Sequence, residues 1–310
     1  MSCFKPLQAF RSRVLTKSGK RGITFSRDES CGDFSLLRLP CGRCIGCRIK
    51  RSREWAIRCV HEASLHKHNS FITLTFNDKW LKKLCPTGSL DVTIFQKFMK
   101  RLRYHTGLKI RFYHCGEYGE RYGRPHYHAC LFGIDFPDKK PFKVVNGITL
   151  YRSAFLESVW TYGYSSIGDV TFQSAAYVAR YVMKKVVGSR AVYHYQRDID
   201  TETGEVLMIK PEYSTMSRNK AIGREWFEKF KGDFFPKDYA HLGGKKISPP
   251  RYYSALYEAE FPDEFAKIKR KRIRNARLKS DDQTSERLAV KEEIQQLKLN
   301  RLVRGLDMEL

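Results

Sequence analysis

The segment Arg124-Pro125-His126-Tyr127-His128-Ala129-Cys130-Leu131-Phe132-Gly133 limits this chain more than any other stretch. Two histidines separated by one residue stand at the head of an apolar run. Successive side chains of a strand point to opposite faces, so His126 and His128 share a face about 7 Å apart, close enough to hold one metal ion between them. The glycine-containing turn Gly116 to Pro125 joins this run to a strand expected over residues 109–115, which makes the pair an antiparallel hairpin. Glu117, in that turn, is the nearest acidic side chain that reaches the histidines, and Glu120 is the second choice. Two imidazoles and a carboxylate suit a divalent cation.

A second constraint lies downstream, in Tyr177-Val178-Ala179-Arg180-Tyr181-Val182-Met183-Lys184-Lys185, which reads as a helix. At about 100° per residue, Ala175, Val178, Val182 and Val186 form an apolar stripe, with Tyr177, Tyr181 and Lys184 on the opposite side. Both phenols are therefore expected to point away from the anchoring stripe and toward a site. A metal-bound phosphate would be polarised for in-line attack by a phenolate, with Lys184 balancing charge.

With 58 Lys and Arg against 33 Asp and Glu, the formal net charge is +25, which favours a polyanionic partner, nucleic acid before membrane surface. A content of 42% hydrophobic and 13% aromatic residues argues for a globular protein with a buried core. The first residues carry no apolar signal stretch, and no segment approaches the roughly 20 apolar residues of a membrane span, so a soluble, non-exported protein is expected.

Nine cysteines cluster toward the N-terminus, which fits a reducing compartment and metal binding better than a disulfide framework. Cys41-Gly42-Arg43-Cys44-Ile45-Gly46-Cys47 has two consecutive two-residue spacings on a turn that glycine lets fold back. Zinc is the expected occupant; an iron–sulfur cluster would want a further cysteine followed by proline, and Arg48 onward supplies neither. Cys3 or Cys31 completes a four-sulfur set from the preceding arm. Cys85, Cys115 and Cys130 read as small core residues.

The pattern predicts an irregular arm over 1–47, a helix from Arg48 to His68 with its arginines outward, and a strand Phe71-Ile72-Thr73-Leu74-Thr75-Phe76. A helix from Asp91 to Gly107, the histidine hairpin, a short strand over 144–150, a helix over 153–160, a strand over 165–172 and the tyrosine helix follow. This order is an α+β core, an antiparallel sheet with packed helices, over 48–190. An accessory hairpin of strands 192–196 and 206–209 belongs to a region 191–250, and a basic helical tail covers 251–310, where Lys267, Lys269, Arg270, Lys271, Arg272, Arg274, Arg277 and Lys279 crowd together.

The Phe71–Phe76 strand, the Pro125-His126-Tyr127-His128 strand and the Tyr177-Val178-Ala179-Arg180-Tyr181 helix, in that order, resemble the three motifs of histidine-hydrophobe-histidine (HUH) rolling-circle replication initiators, whose sheet is of the RRM-like palm kind. Pro40 to Cys47 with Trp55, Gly116-Glu117-Tyr118-Gly119, the paired tyrosines, Met216-Ser217-Arg218, Gly223 and Trp226 resemble more closely the initiators of microviruses, single-stranded DNA phages of the gokushovirus type. The resemblance spans about residues 40–230. It implies an endonuclease and strand transferase acting in the bacterial host cytoplasm on single-stranded and origin DNA, with host helicase and polymerase as partners. It further implies Mg2+ or Mn2+ held by His126, His128 and Glu117, nucleophiles Tyr177 and Tyr181, and Lys184 beside them. Three other readings compete: a non-enzymatic binder of single-stranded nucleic acid stacking bases on Phe71, Tyr113 and Tyr127; a non-haem iron oxygenase; and a relaxase or transposase of the same superfamily.

Overall fold

The computed structural model describes residues 3–301 except 17–18, 20, 33–34, 120–121, 146, 182–185, 187–189 and 200–203, and except the side chains of Arg180, Tyr181, Arg190, Asp198 and Ile199. Two compact units form, Met1–Arg51 with Ala266–Val303, and Ser52–Phe265. The segment read as one basic tail is therefore divided between them.

The arm expected to be irregular is a small antiparallel sheet of β1 (Leu7–Leu15), β2 (Arg21–Thr24) and β3 (Leu36–Leu39), with β1 in the middle. Its central strand is mostly exposed and interrupted by Arg11 and Arg13, so it lacks the alternation that marks a half-buried strand. Helix α1 (Ile45–Ala63) starts within the cysteine turn.

The second unit continues through β4 (Asn69–Phe76), α2 (Asp78–Leu84), α3 (Val92–Thr106), β5 (Arg111–Tyr118) and β6 (Pro125–Phe132). Then come β7 (Lys140–Val145), β8 (Ile148–Arg152), α4 (Ala154–Val159), β9 (Gly163–Gly168) and α5 (Phe172–Tyr181). The unit is completed by α6 (Arg190–Tyr195), β10 (Gln196–Ile199), β11 (Val206–Met208), β12 (Tyr213–Met216), α7 (Arg224–Phe230) and α8 (Arg251–Glu260). Helices α9 (Pro262–Arg277) and α10 (Ser285–Asn300) follow. No helix among the described residues is long and apolar enough to cross a membrane.

Seven strands form one sheet in the order β12-β5-β6-β4-β9-β8-β7, and every pairing described in it is antiparallel. Its central strands are buried on both faces. On one face Ile72, Leu74, Tyr127, Ala129 and Leu131 pack against Phe95, Phe98 and Leu102 of α3 and Leu156 of α4. On the other, Phe71, Tyr113, Cys115, Cys130 and Phe132 meet Ala56 and Cys59 of α1 and Ala175, Tyr177, Val178 and Ala179 of α5. Helix α3 ends as its sequence dictates: the Asp91 carboxylate caps the Thr93 amide at 2.9 Å, and Gly107 closes it at φ 66°.

Local expectations fail in four places. Residues 144–150 are not one strand but the β7–β8 hairpin, turning at Gly147 with φ 77°; Asn146-Gly147 was the turn signal. Residues 190–195 are helical where a strand was expected, because Tyr195 is fixed from outside: its hydroxyl donates to Glu212 at 2.6 Å and accepts from the Val186 amide. Helix α2 is an addition, capped by Asn77, whose side chain accepts from the Trp80 amide at 2.9 Å. Arg58 is not outward: its guanidinium lies between the Trp55 and Tyr252 rings, 4.0 and 4.2 Å from their centroids, and its Nε donates to the Ile222 carbonyl.

Glu62 of α1 clasps the unit together. Its carboxylate accepts from Arg111 of β5 and from the Gly223 amide, while Arg111 also donates to the Asn219 and Lys220 carbonyls. Burial alone raises the Glu62 pKa, but hydrogen bonds from His66 and Gly223 and the Arg111 charge outweigh it and hold the carboxyl below its ordinary value. The clasp therefore stabilises the fold above the ordinary glutamate pKa of about 4.3, and is lost as pH falls through the lowered folded value. Glu62→Gln should cost about 3 kcal/mol at neutral pH. Urea melts should show this deficit shrinking once the pH is well below 4.

Candidate functional site

The register of the central strands places polar side chains in rows on the α1–α5 face. Glu117 of β5 is opposite His126 of β6, His126 is opposite Thr75 of β4, and Thr75 is opposite Tyr164 of β9. One step along, Cys115 is opposite His128, His128 opposite Thr73, and Thr73 opposite Ser166. Directly paired residues of antiparallel strands point to the same side, so both histidines and Glu117 share one surface. Glu117 belongs to β5 itself, not to the turn after it as expected. Glu120 lies outside the described residues.

His128 is held at both ring nitrogens, Nε2 at 2.7 Å from Glu117 Oε1 and Nδ1 at 2.9 Å from Thr73 Oγ1. A threonine hydroxyl both donates and accepts, so Thr73 can serve either tautomer of the ring. With Nδ1–H turned to Thr73, the Nε2 lone pair is left facing Glu117, which is how metal-ligating histidines are oriented by their outer partners. The donors, two imidazole nitrogens and a carboxylate oxygen, fit a divalent cation. Gly119 backs this arrangement: a Cβ built there would come within 2.8 Å of His126 Cε1, so only glycine lets the chain pass the ring.

Helix α5 lies over the same rows. Thr171 and Ser174 cap it reciprocally, the Ser174 amide donating to Thr171 Oγ1 at 3.1 Å and the Thr171 amide to Ser174 Oγ at 2.8 Å. Ser52 of α1 ties it down by donating to the Ala176 carbonyl at 3.0 Å. Tyr177 is only 5% exposed, and its ring stands edge-on to His128 with centroids 5.1 Å apart. The expected opposition of phenols to the apolar stripe is thus corrected, since Ala175, Val178 and Ala179 are buried beside Tyr177 rather than across from it. Sheet and α1 enclose the helix over more than one side. Tyr181 ends α5 one turn further on; its side chain, and Lys184 altogether, lie outside the described residues.

A cleft of about 260 Å³ opens beside His126, lined also by Thr75, Asn77, Gly119, Arg124 and Tyr164. Arg124 is braced there, donating to Asp78 Oδ1 at 2.6 Å and to the Phe76 carbonyl at 2.9 Å. Phe71, Tyr113 and Tyr127, in contrast, offer nothing to a base. All three are buried, Tyr113 under Trp55 at 4.7 Å and Tyr127 with its hydroxyl donating to the Asp91 carbonyl. That removes the base-stacking platform of the non-enzymatic reading.

The four cysteines Cys3, Cys41, Cys44 and Cys47 converge, with all sulfurs within 4.8 Å of one another. Cys3 Sγ lies 3.6 Å from Cys41 Sγ and 3.9 Å from Cys44 Sγ. A tetrahedral site with metal–sulfur bonds of about 2.3 Å has sulfur–sulfur edges of about 3.8 Å. The set therefore fits zinc without rearrangement. Amides of Phe4, Cys41 and Cys44 donate to Cys44, Cys3 and Cys41 sulfurs, as they would to thiolates. Burial opposes ionising Cys44, but the Phe4 and Cys47 amides and the Cys47 and Cys41 thiols outweigh it and draw the pKa down to about 7. Cys3, not Cys31, completes the set; Cys31 instead meets Arg21 and the Ser12 carbonyl. Cys85, Cys115 and Cys130 are buried core residues. Among the described residues the cysteines are the one group of three or more converging His, Cys, Asp or Glu ligand atoms, so the histidine face is assembled pairwise, Glu117 touching His128 and facing His126.

The family model for the ORF2 class of replication-associated protein matches residues 69–186, from β4 through α5. The chain is 32% identical over 294 residues to the replication-associated protein VP4 of Bdellovibrio phage phiMH2K, covering 90% of this chain and 86% of that protein. It is 30% identical to the replication-associated protein ORF2 of Spiroplasma virus 4 over 86% of this chain and 83% of that one. With the replication-associated protein ORF4 of Chlamydia phage 1 the identity is 32%, over 86% and 67%. The chain belongs to the microvirus-type replication-associated proteins. No solved structure matches it.

The matched span contains the histidine strand and Tyr177, while the cysteine set lies outside it. Sequence reasoning passed over Thr73 and Thr75. Their spacing of two within an otherwise apolar strand was the available signal, since it marks one face as polar. Thr73→Val, which keeps the shape and removes the hydroxyl, should leave the fold intact and weaken Mn2+ binding by about 10- to 100-fold, measured by titration calorimetry.

Proposed function

We propose that this chain initiates rolling-circle replication of a small single-stranded DNA phage by nicking the origin strand through a tyrosine–phosphate intermediate. One observation carries the reading: the Tyr177 ring stands 5.1 Å from that of His128, over the face shared by His126 and Glu117. Family membership supports the replication role, and the net charge of +25 supports a nucleic-acid substrate. A nucleophile, two imidazoles and a carboxylate on one surface are what phosphoryl transfer to a side chain requires.

In this reading His126, His128 and Glu117 hold Mg2+ or Mn2+, which when bound withdraws charge from the nonbridging phosphate oxygens. Thr73 orients the His128 ring. The phenol oxygen of Tyr177, after losing its proton to solvent, attacks phosphorus; the bond to the 3′ oxygen breaks and that oxygen takes up a proton. The cut strand then carries a 3′ hydroxyl for host polymerase, with the 5′ phosphate on tyrosine. Tyr181, four residues on, is the acceptor for the second cleavage that regenerates a circle, and Lys184 balances phosphate charge. Host helicase supplies the opened duplex, and the site of action is the bacterial cytoplasm. The buried Phe71, Tyr113 and Tyr127 speak against the non-enzymatic binder. The nearby phenol favours strand transfer over an iron oxygenase, and the phage relatives favour an initiator over a relaxase or transposase. Cys3, Cys41, Cys44 and Cys47 hold a structural Zn2+ in the same proposal.

A single-stranded oligonucleotide carrying the phage origin, incubated with Mn2+, should yield a protein–DNA adduct that survives denaturation. Mass spectrometry of the linked peptide should locate it on Tyr177 or Tyr181, and the double change to Phe should abolish it while DNA affinity stays within about twofold; an adduct on another residue defeats the assignment. Elemental analysis should find one zinc per chain, lost in Cys44→Ser together with several degrees of Tm.

A further inference from the structure

The row Glu117, His126, Thr75, Tyr164 does not end at the cleft. Tyr164 lies two strands from His126, a span of about 9–10 Å at ordinary strand spacing. Its ring is 48% exposed although it borders a polar cleft in the middle of a buried sheet. Beyond it, Arg152 of β8 places its guanidinium 6.0 Å from the Tyr164 ring and 4.0 Å from that of Phe142 on β7, which is 44% exposed. Two open aromatic rings with a cation between them therefore lead from His126 to the last strand of the sheet. Lys140 and Lys143 of β7 are exposed alongside. The carboxylates facing this stretch are Asp78 and Glu157, each already engaged by an arginine, Arg124 at 2.6 Å and Arg152 at 3.7 Å.

Scattered exposed aromatics need no explanation, but alternating aromatic and cationic side chains in line with a site are the pattern of single-strand recognition, in which bases stack on rings and cations follow the backbone. Among the described residues no helix covers this part of the face as α5 covers the histidines. We infer that Tyr164, Arg152 and Phe142 form a track for single-stranded DNA, on which the base next to the phosphate at His126 stacks on Tyr164 and a further base stacks on Phe142. This rests on the nicking reading for its direction, since His126 marks where the reacting phosphate lies. A duplex does not fit it, because paired bases present no free ring faces. The track selects strand state rather than sequence, which stacking tolerates.

The test uses the full chain without added divalent ions and short single-stranded oligonucleotides carrying 2-aminopurine at successive positions. Wild type should quench the fluorophore at one or two adjacent positions, and Tyr164→Ala should remove that quenching. Tyr164→Ala and Phe142→Ala should each weaken single-strand binding by about 5- to 150-fold, while Tyr164→Phe stays within about twofold. Arg152→Gln should flatten the dependence of log affinity on log salt by about 0.7, the share of one phosphate contact. Thermal melts of each variant should match wild type, since these side chains are open to solvent. Unchanged affinity and quenching in Tyr164→Ala overturn the track, and so does equal loss of duplex and single-strand binding. Adduct formation with Mn2+ is assayed in parallel on wild type: an adduct with Tyr164-independent binding sinks the track alone, whereas Tyr164-dependent binding without any adduct supports the track and sinks the nicking reading.

Discussion

The pairing of β6 between β5 and β4 is the constraint on which the rest depends. Because side chains alternate along a strand, a slip of one residue would carry His126 and His128 to the α3 face and Tyr127 to the α5 face. Register is defended by what lies on each side: Tyr127, Ala129 and Leu131 fill the α3 layer, while Cys130 and Phe132 fill the α1–α5 layer beyond the histidines. Packing that stabilises the fold thereby fixes the positions of the polar groups. Burial of His128 and Glu117 would be costly for each alone, and their mutual contact with Thr73 completing the ring's partners offsets that cost.

The sheet divides its length between two tasks. At its centre both faces are covered, and the helix that covers the histidines is the one that bears Tyr177. A nucleophile held by a capped helix, itself tied to α1 through Ser52, is restrained in a way that a loop residue is not, and restraint is what proximity catalysis requires. Toward β7 the sheet runs out from under its helices and shows Tyr164 and Phe142 to solvent. A long substrate needs such an open approach to a closed centre.

The cysteine set follows another logic. Its sulfurs come from Cys3 and from the turn that opens α1, so one ion at that point would join chain segments 38 or more residues apart. A sheet whose central strand is mostly exposed has little core of its own, and small units of that kind usually need a staple.

Much of this was legible in the sequence. Alternation in Phe71–Phe76, the cap and glycine stop of the helix after Asp91, and the i, i+2 histidines are local signals, and local signals survive folding because they act through the backbone of their own segment. The same holds for the cysteine spacing, which made a metal-sized loop readable, though not whether Cys3 or Cys31 would close it. Tertiary structure decided the rest. Glu117 became a strand residue because β6 was there to pair with it, residues 190–195 became helix because Glu212 and Val186 claimed Tyr195, and Thr73 became a partner of His128 only through the β4–β6 register. Tyr177 faced inward against its helical stripe because sheet and α1 together enclose α5. Periodicity tells a segment which of its faces differ; which neighbour meets each face is set by contacts between residues far apart in the chain, and one segment's own pattern carries no record of them.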